Sequence, residues 1–494
     1  MSEADELTVV VLAAGGGTRM KSKTMKVLHH IGGRSMIGHV LTAVRSVEPH
    51  RVVAVVGHQR EQVGAHIQEL VPDAVLAVQE VLDGTGGAVR VALATSGTAT
   101  GTVLVATGDT PLLEGESLRQ FVADHRAAEQ AVSILSGVVP NPFGYGRILR
   151  NHEGDVEAIV EEKDASPDQR DISEISSGIL AFDAEFLVGA LARLTNDNAK
   201  GEFYLTDTVR IAREDGLTVG AFAIDDVMQT EGANDRVQLA EMGKELNRRI
   251  VNRWMLEGVT VMDPATTWID ADVKLDADVT VLPGVQLLGA TVVAEDAVIG
   301  PDTTLKDCEV GAGARVVRAH AELAIIGERA TVGPFAYLRP GTVLDAEGKI
   351  GTFVETKNAH IAAGAKVPHL SYVGDAEIGE KANIGAGTIF ANYDGLAKHR
   401  TTVGRWFRGG SNNTFVAPVD IGDGASTGGG TVVRRNVPPG ALAVSGGPQR
   451  NLSGWVTSKR AGTPQAEAAI EATTGDTGDE GRPGRASDGE GEGD

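Results

Sequence analysis

The chain has 494 residues, 42% apolar and 23% charged, with a formal net charge of −22 and a single cysteine. That length exceeds one core and implies two or three domains. The negative charge excludes nucleic acid as a main partner, and a lone Cys308 excludes an intrachain disulfide framework or a cysteine zinc site.

No apolar run approaches about 20 residues, so no membrane insertion is expected. The start, MSEADELT, lacks the basic and apolar regions of a signal peptide, which makes the cytoplasm the expected location. Apolar runs at Val9–Leu12, Val52–Val56, Val75–Val78 and Val103–Ala106 alternate with helical stretches. That alternation predicts a mostly parallel, Rossmann-like α/β sheet with ligands beyond the carboxyl ends of its strands.

Two strand ends carry informative residues. The first runs into Ala13-Ala14-Gly15-Gly16-Gly17-Thr18-Arg19, with Lys26 downstream. Small residues admit phosphate oxygens to backbone N–H groups, and Arg19 and Lys26 supply cations. Neither a Walker loop nor a dinucleotide fingerprint is present. The strand ending at Ala106 runs into Thr107-Gly108-Asp109-Thr110-Pro111, where Asp109 is a candidate Mg²⁺ ligand; magnesium takes one or two protein oxygens and completes its shell with phosphate and water.

Residues 235–258 predict a linker helix, with Leu239, Met242, Leu246, Ile250 and Trp254 on one face and Gly258 as its stop. From Leu275 every sixth residue is aliphatic (Val281, Leu287, Val293, Ile299, Leu305), and Val273, Val279, Val285, Thr291, Ala297 and Thr303 form a second ladder. A period of six fits neither a helix nor a single strand and predicts a parallel β-helix of hexapeptide repeats, with Cys308 buried inside it. Slips in the count are expected to mark loops that leave the coil, the largest at Leu344–Gly348 and Asn392–Arg400. Polar residues gather near them: Arg339, Glu355, Lys357, His369, Tyr372, Asn383, Asn392 and Tyr393. Cations suit a sugar phosphate, and an imidazole suits deprotonation of an amine. Residues 461–494 carry nine Asp/Glu and two Arg and almost no large apolar side chain, and are expected to be a disordered acidic tail.

The motifs L-A-A-G-x-G-T-R-M, K-V-L-H, Q-x₅-G-T-G, G-D-x-P-L-L and G-Y-G-R-I, in this order, resemble the sugar-1-phosphate nucleotidyltransferases. With the hexapeptide solenoid behind them, residues 7–456 resemble the bacterial family of bifunctional N-acetylglucosamine-1-phosphate uridylyltransferases/glucosamine-1-phosphate acetyltransferases. The resemblance implies a nucleotidyltransferase domain at 1–234, the linker helix, and a left-handed, trimeric β-helix acetyltransferase domain at 259–460. It implies that Leu12, Ala13, Ala14 and Gly15 cradle UTP with Arg19 and Lys26 on its phosphates. Gln79, Gly84 and Thr85 match the uracil-reading segment, with Thr107 and Gly108 beside them. Asp109 and Asn234 match the Mg²⁺ ligands; Gly146, Glu161 and Ser176 match contacts to the acetylated sugar. In the second half Arg339, Lys357, Tyr372 and Asn383 match the glucosamine-1-phosphate site and His369 the general base. Ala386, Asn392, Tyr393, Ser411, Gly429 and Gly446 match acetyl-CoA positions. Trp455 is expected to pack across the trimer interface.

The chain departs from the family pattern at Met25 (Pro in the family), Asp83 and Gly87 (Leu and His), Ser176 (Asn) and Asp235 (Asn). Gly429 and Gly446 are milder departures. A carboxylate at 83 near nucleotide phosphates predicts repulsion. Uridylyl transfer is expected to survive with raised KM values. An acetyltransferase with a degenerate first domain, a nucleotidyltransferase with a regulatory solenoid, and a non-catalytic scaffold remain the alternatives, which separate assays of the two half-reactions distinguish.

Overall fold

The computed structural model describes residues 6–57, 59–97, 99–447 and 449–475. They fall into two compact units, Met1–Ala443 and Val444–Asp494.

The first unit opens with a nine-stranded sheet. Leu7–Leu12 lies at its centre, parallel to Arg51–Val56 on one side and Thr102–Thr107 on the other; Val75–Val78 closes the first edge. Glu174–Asp183 runs antiparallel between Thr102–Thr107 and Val132–Val138. A hairpin, Gly146–Arg150 with Val156–Val160, is attached to it through Ser176 and Gly146. The central runs are fully buried because helices cover both faces: Val9, Val10 and Val11 are each 0% exposed.

Helix Arg236–Leu256 joins this sheet to the coil. Asp235 caps it, its carboxylate accepting from the N–H groups of Val237 and Gln238 at 2.9 and 3.0 Å. Aspartate caps as well as asparagine, so this departure costs the helix nothing. Met242, Ile250 and Trp254 are buried, and the Asn247 amide clamps the helix to the first coil, donating to the Thr267 carbonyl and accepting from Ile269 N–H.

The rest of the unit is the left-handed parallel β-helix. Trp268 pairs with Gln286, Lys274 with Val292 and Thr280 with Val298, so one coil is eighteen residues and three hexads. Both ladders point inward: Val281, Leu287, Val293, Ile299 and Leu305 are 0% exposed, and Cys308 is buried. Burial of each such aliphatic side chain contributes roughly 1.5–3 kcal/mol.

Three expectations need revision. Leu344–Gly348 is no excursion. Gly348 N–H donates to the Asp345 carbonyl in an ordinary corner, and strands on either side stay in register. The slips are coils of seventeen or sixteen residues, as where Thr304 pairs with His320; a corner in left-handed backbone, such as Asp307 or Arg318, absorbs the missing residue. Asn392–Arg400 does leave the coil. Coil pairing ends at Ala443 rather than 460. The tail is helical at Pro464–Gly475, where Ala and Glu are good helix formers, while residues 476–494 lie outside those described.

Candidate active sites

The first site forms at the carboxyl end of the parallel strands. Leu12 pairs with Thr107, and Gly108 N–H donates to the Leu12 carbonyl at 2.9 Å, so the loops after both strands open side by side. The small-residue loop borders empty space at Gly15 and Gly16. Lys26 meets two partners there. Its ammonium forms an ion pair with Asp109 and donates to Asn234 Oδ1 at 3.1 Å, joining residues 83 and 208 positions apart. Asn234 is held by its own N–H, which donates to Gln238 Oε1 at 2.8 Å. Arg19 stands exposed on the short helix Thr18–Met20, outside this cluster. Met25 is buried in the core beside Val27, supplying apolar packing in place of the expected proline.

Asp109 and Asn234 offer one carboxylate and one amide oxygen. That hard, sparse donor set fits Mg²⁺ completed by phosphate oxygens and water. Among the described residues no group of three or more His, Cys, Asp or Glu could hold an ion. Tyr145 borders the cluster. Burial first, then the charges of Glu231 and Asp109, push its hydroxyl above the usual tyrosine range.

Just past strand Val75–Val78, Gln79 is buried, its Nε2 donating to Asp83 Oδ1 at 2.9 Å and to the Gly84 carbonyl at 3.1 Å. The Thr85 hydroxyl accepts from Leu205 N–H at 3.0 Å. At the attached hairpin Ser176 pairs with Gly146, and a Cβ at Gly146 would lie 3.6 Å from Glu161 Oε1. These three residues are thus brought together. Burial raises the Glu161 carboxyl, against a 3.2 Å hydrogen bond from the Thr206 hydroxyl.

The second site lies on stacked coils. Lys357 pairs with Gly374, and Glu355 with Tyr372. Arg339 forms an ion pair with Glu355 at 2.9 Å. Asn358, Asp375 and Asn392 form one bonded column: the two amides donate to the two oxygens of Asp375 at 2.8 and 2.5 Å. Burial pushes the Asp375 carboxyl up, but these amides, with Lys357 and Lys398, outweigh it and hold it below the usual range. Tyr372 Oη lies 3.5 Å from Asn392 Nδ2, a contact that needs a glycine at 374, where any Cβ would strike both groups. Asn383 pairs with Lys366 and Arg408 on the same stack. His369 ends strand Lys366–His369 with its ring exposed. Tyr393 lies in the excursion, its hydroxyl donating to the Gly395 carbonyl.

Ala386, Ser411 and Gly429 follow each other along one corner: Asn412 N–H donates to the Ala386 carbonyl and Gly430 N–H to that of Ser411. A Cβ at 429 would meet only Ser411 O, at 3.7 Å, so the absent methyl leaves the corner unstrained. Gly446 belongs to the second unit.

Three neighbours of these sites escape the sequence reading. Lys398, in the excursion, sits against Lys357, whose ammonium holds it below the usual lysine range. Asn358 stands one seventeen-residue coil before Asp375, an offset that could have revealed it. Thr206 carries no motif.

Fold and sites together define a nucleotidyltransferase domain built onto a hexapeptide β-helix transferase. Residues 9–166 match the MobA-like NTP transferase domain family. The whole chain is similar to proteins named bifunctional protein GlmU. That of Rhodococcus opacus is 58% identical over 475 residues, covering 94% of this chain and 95% of that protein. Those of Pseudarthrobacter chlorophenolicus and Streptomyces avermitilis are each 56% identical, over 93% and 95% of this chain and 94% and 98% of theirs. The chain belongs to the GlmU family of bifunctional enzymes.

Proposed function

We propose that the β-helix acetylates glucosamine-1-phosphate with acetyl-CoA, and that the first domain then transfers UMP from UTP to the resulting N-acetylglucosamine-1-phosphate, releasing pyrophosphate. The convergence of Lys26 on Asp109 and Asn234 carries the nucleotidyl half of this reading.

For acetyl transfer, Arg339, Lys357 and Lys398 hold the phosphate, and Tyr372 and Asn383 the sugar. His369 takes a proton from the substrate ammonium. The neutral amine attacks the thioester carbonyl, the tetrahedral oxyanion collapses, and the coenzyme thiolate leaves. Ala386, Asn392, Tyr393, Ser411 and Gly429 line the acetyl-CoA side. For uridylyl transfer, Leu12–Gly15, Arg19 and Lys26 bind the triphosphate, Gln79, Gly84 and Thr85 the base, and Gly146, Glu161 and Ser176 the acetylated sugar. The sugar phosphate oxygen attacks the α-phosphorus in line with the departing pyrophosphate, which asks for positioning and charge neutralisation rather than a protein nucleophile. Mg²⁺ held by Asp109 and Asn234 would neutralise charge on the phosphates.

The homotrimer is supported by an apolar corner of the coil: Phe335 and Phe353 stack at 5.4 Å while 52% and 58% exposed. Among the described residues no helix is long and apolar enough to cross a membrane, in keeping with a cytoplasmic enzyme of UDP-N-acetylglucosamine synthesis. Assaying both half-reactions on one preparation tests the whole reading. Without pyrophosphate from UTP, N-acetylglucosamine-1-phosphate and Mg²⁺, only acetyl transfer stands.

A further inference from the structure

We propose that Asp83 is a positioning residue for nucleobase selection, which fixes the face of the Gln79 amide that the base meets. The proposal rests on the uridylyl-transfer reading of the first site.

Gln79 is 5% exposed and follows strand Val75–Val78. Both N–H bonds of its Nε2 are engaged, one by Asp83 Oδ1 at 2.9 Å and one by the Gly84 carbonyl at 3.1 Å. A carboxylate and a carbonyl only accept. Turning the amide over would set Oε1 against two acceptors and lose both bonds, so chemistry fixes its orientation. Among the described residues Oε1 accepts no hydrogen bond, and it is the group the amide offers a ligand. The segment borders the phosphate loop: Ala14 and Leu82 close on Gly57 from two sides, 3.0 and 3.2 Å from a Cβ there.

The pyrimidines differ at the edge such an amide reads. Uracil presents N3–H, a donor, while cytosine presents bare N3, an acceptor. Oε1 accepts from the first and opposes the second; a reversed amide inverts the preference. Asp83 thereby favours UTP over CTP without touching the base.

Gly87 makes room for this. A Cβ at 87 would collide with the Asp83 carboxylate. That carboxylate lies over the first turn of helix Thr85–Ser96, where the helix dipole favours negative charge and the N-cap, Gly84, provides no side-chain cap. The departures at 83 and 87 are therefore one device, an acid and the space it occupies.

The test measures kcat/KM for UTP and for CTP, with N-acetylglucosamine-1-phosphate, on the full chain and on Asp83→Ala, Asp83→Asn and Gly87→Ala. Asp83→Ala and Gly87→Ala are expected to lower the UTP/CTP ratio about tenfold or more. Asp83→Asn, whose amide oxygen still accepts from Gln79, keeps the ratio within about threefold of wild type. Acetyl transfer on the same preparations reports folding. An unchanged ratio in Asp83→Ala, or an Asp83→Asn loss equal to that of alanine, overturns the proposal alone. A wild-type chain that uses neither nucleotide overturns the reading of the site and the proposal with it.

Discussion

The two catalytic regions assemble their residues by opposite means. In the α/β domain Lys26, Asp109 and Asn234 come from three separate stretches: sheet order sets the segments after Leu12 and Thr107 side by side, and Ala233 N–H, donating to the Asp109 carbonyl at 3.3 Å, docks the third. In the β-helix Asn358, Asp375 and Asn392 follow one another at intervals of seventeen residues, and the coil itself stacks them. A site of the first kind is as stable as the packing of a whole domain. A site of the second kind needs only neighbouring coils to hold register, and repeat folds supply that locally.

The sharpest break between the regions is His369→Ala. With His369 as the proposed general base, its loss is expected to lower acetyl transfer about 10²–10⁴-fold, while pyrophosphate release by the first domain stays at wild-type rate. Loss of both activities would mean that the coil supports the first domain's fold, through the clamp Asn247 makes. The converse is Asp109→Ala. If Asp109 serves the phosphates as proposed, its removal is expected to lower uridylyl transfer about 10²–10³-fold, with acetyl transfer intact. Adding Mg²⁺ should recover part of this loss if Asp109 is a ligand. No dependence of the variant on Mg²⁺ would leave the carboxylate as the partner of Lys26 only.

How much of this is legible in the sequence depends on whether geometry leaves a trace in spacing. Val281, Leu287 and Val293 recur every sixth residue because a coil of three hexads returns an inward position on each face, so the solenoid is plain from the period alone. Asp109 and the small-residue loop after Leu12 are visible as candidates because strand ends concentrate ligand-binding residues. The contact between Asp83 and Gly87 is not visible. Each stands out as a departure, but only helix Thr85–Ser96 shows that the carboxylate of one fills the space left by the other's missing side chain. The expectation of a loop at Leu344–Gly348 fails for the opposite reason. Leu338, Leu344 and Ile350 keep the count of six, so the polar run Asp345–Gly348 is an ordinary corner and adds no residue to the coil. Lys398 is hidden because the excursion that carries it has no period.

Lys398→Ala gives a smaller effect and tests the stacked site from its loop. Lys357 and Lys398 repel each other without ligand, a tension that a bound phosphate dianion relieves. Losing one charge-assisted contact is expected to raise KM for glucosamine-1-phosphate about tenfold and to leave KM for acetyl-CoA unchanged. An equal rise in both would mean that the variant disturbs the whole excursion.

The smallest expected effect probes coil stacking itself. His360 lies between carboxylates of adjacent coils, Nε2 at 2.9 Å from Asp345 and Nδ1 at 3.0 Å from Glu377, with Arg400 also on Glu377. Burial lowers its proton affinity, but the two carboxylates outweigh that and raise it above the usual histidine range. A raised folded value means that the stabilisation is complete below the ordinary histidine pKa of about 6.5 and is lost as pH rises through the folded value. The melting midpoint of the β-helix in wild type should therefore fall between about pH 6 and pH 8.5, and His360→Gln should fall less over the same interval. Arg400 holds part of the Glu377 charge at every pH, so the difference is small. Parallel profiles for the two proteins would show that the coils are held by their buried ladders alone, with the surface ion pairs adding nothing.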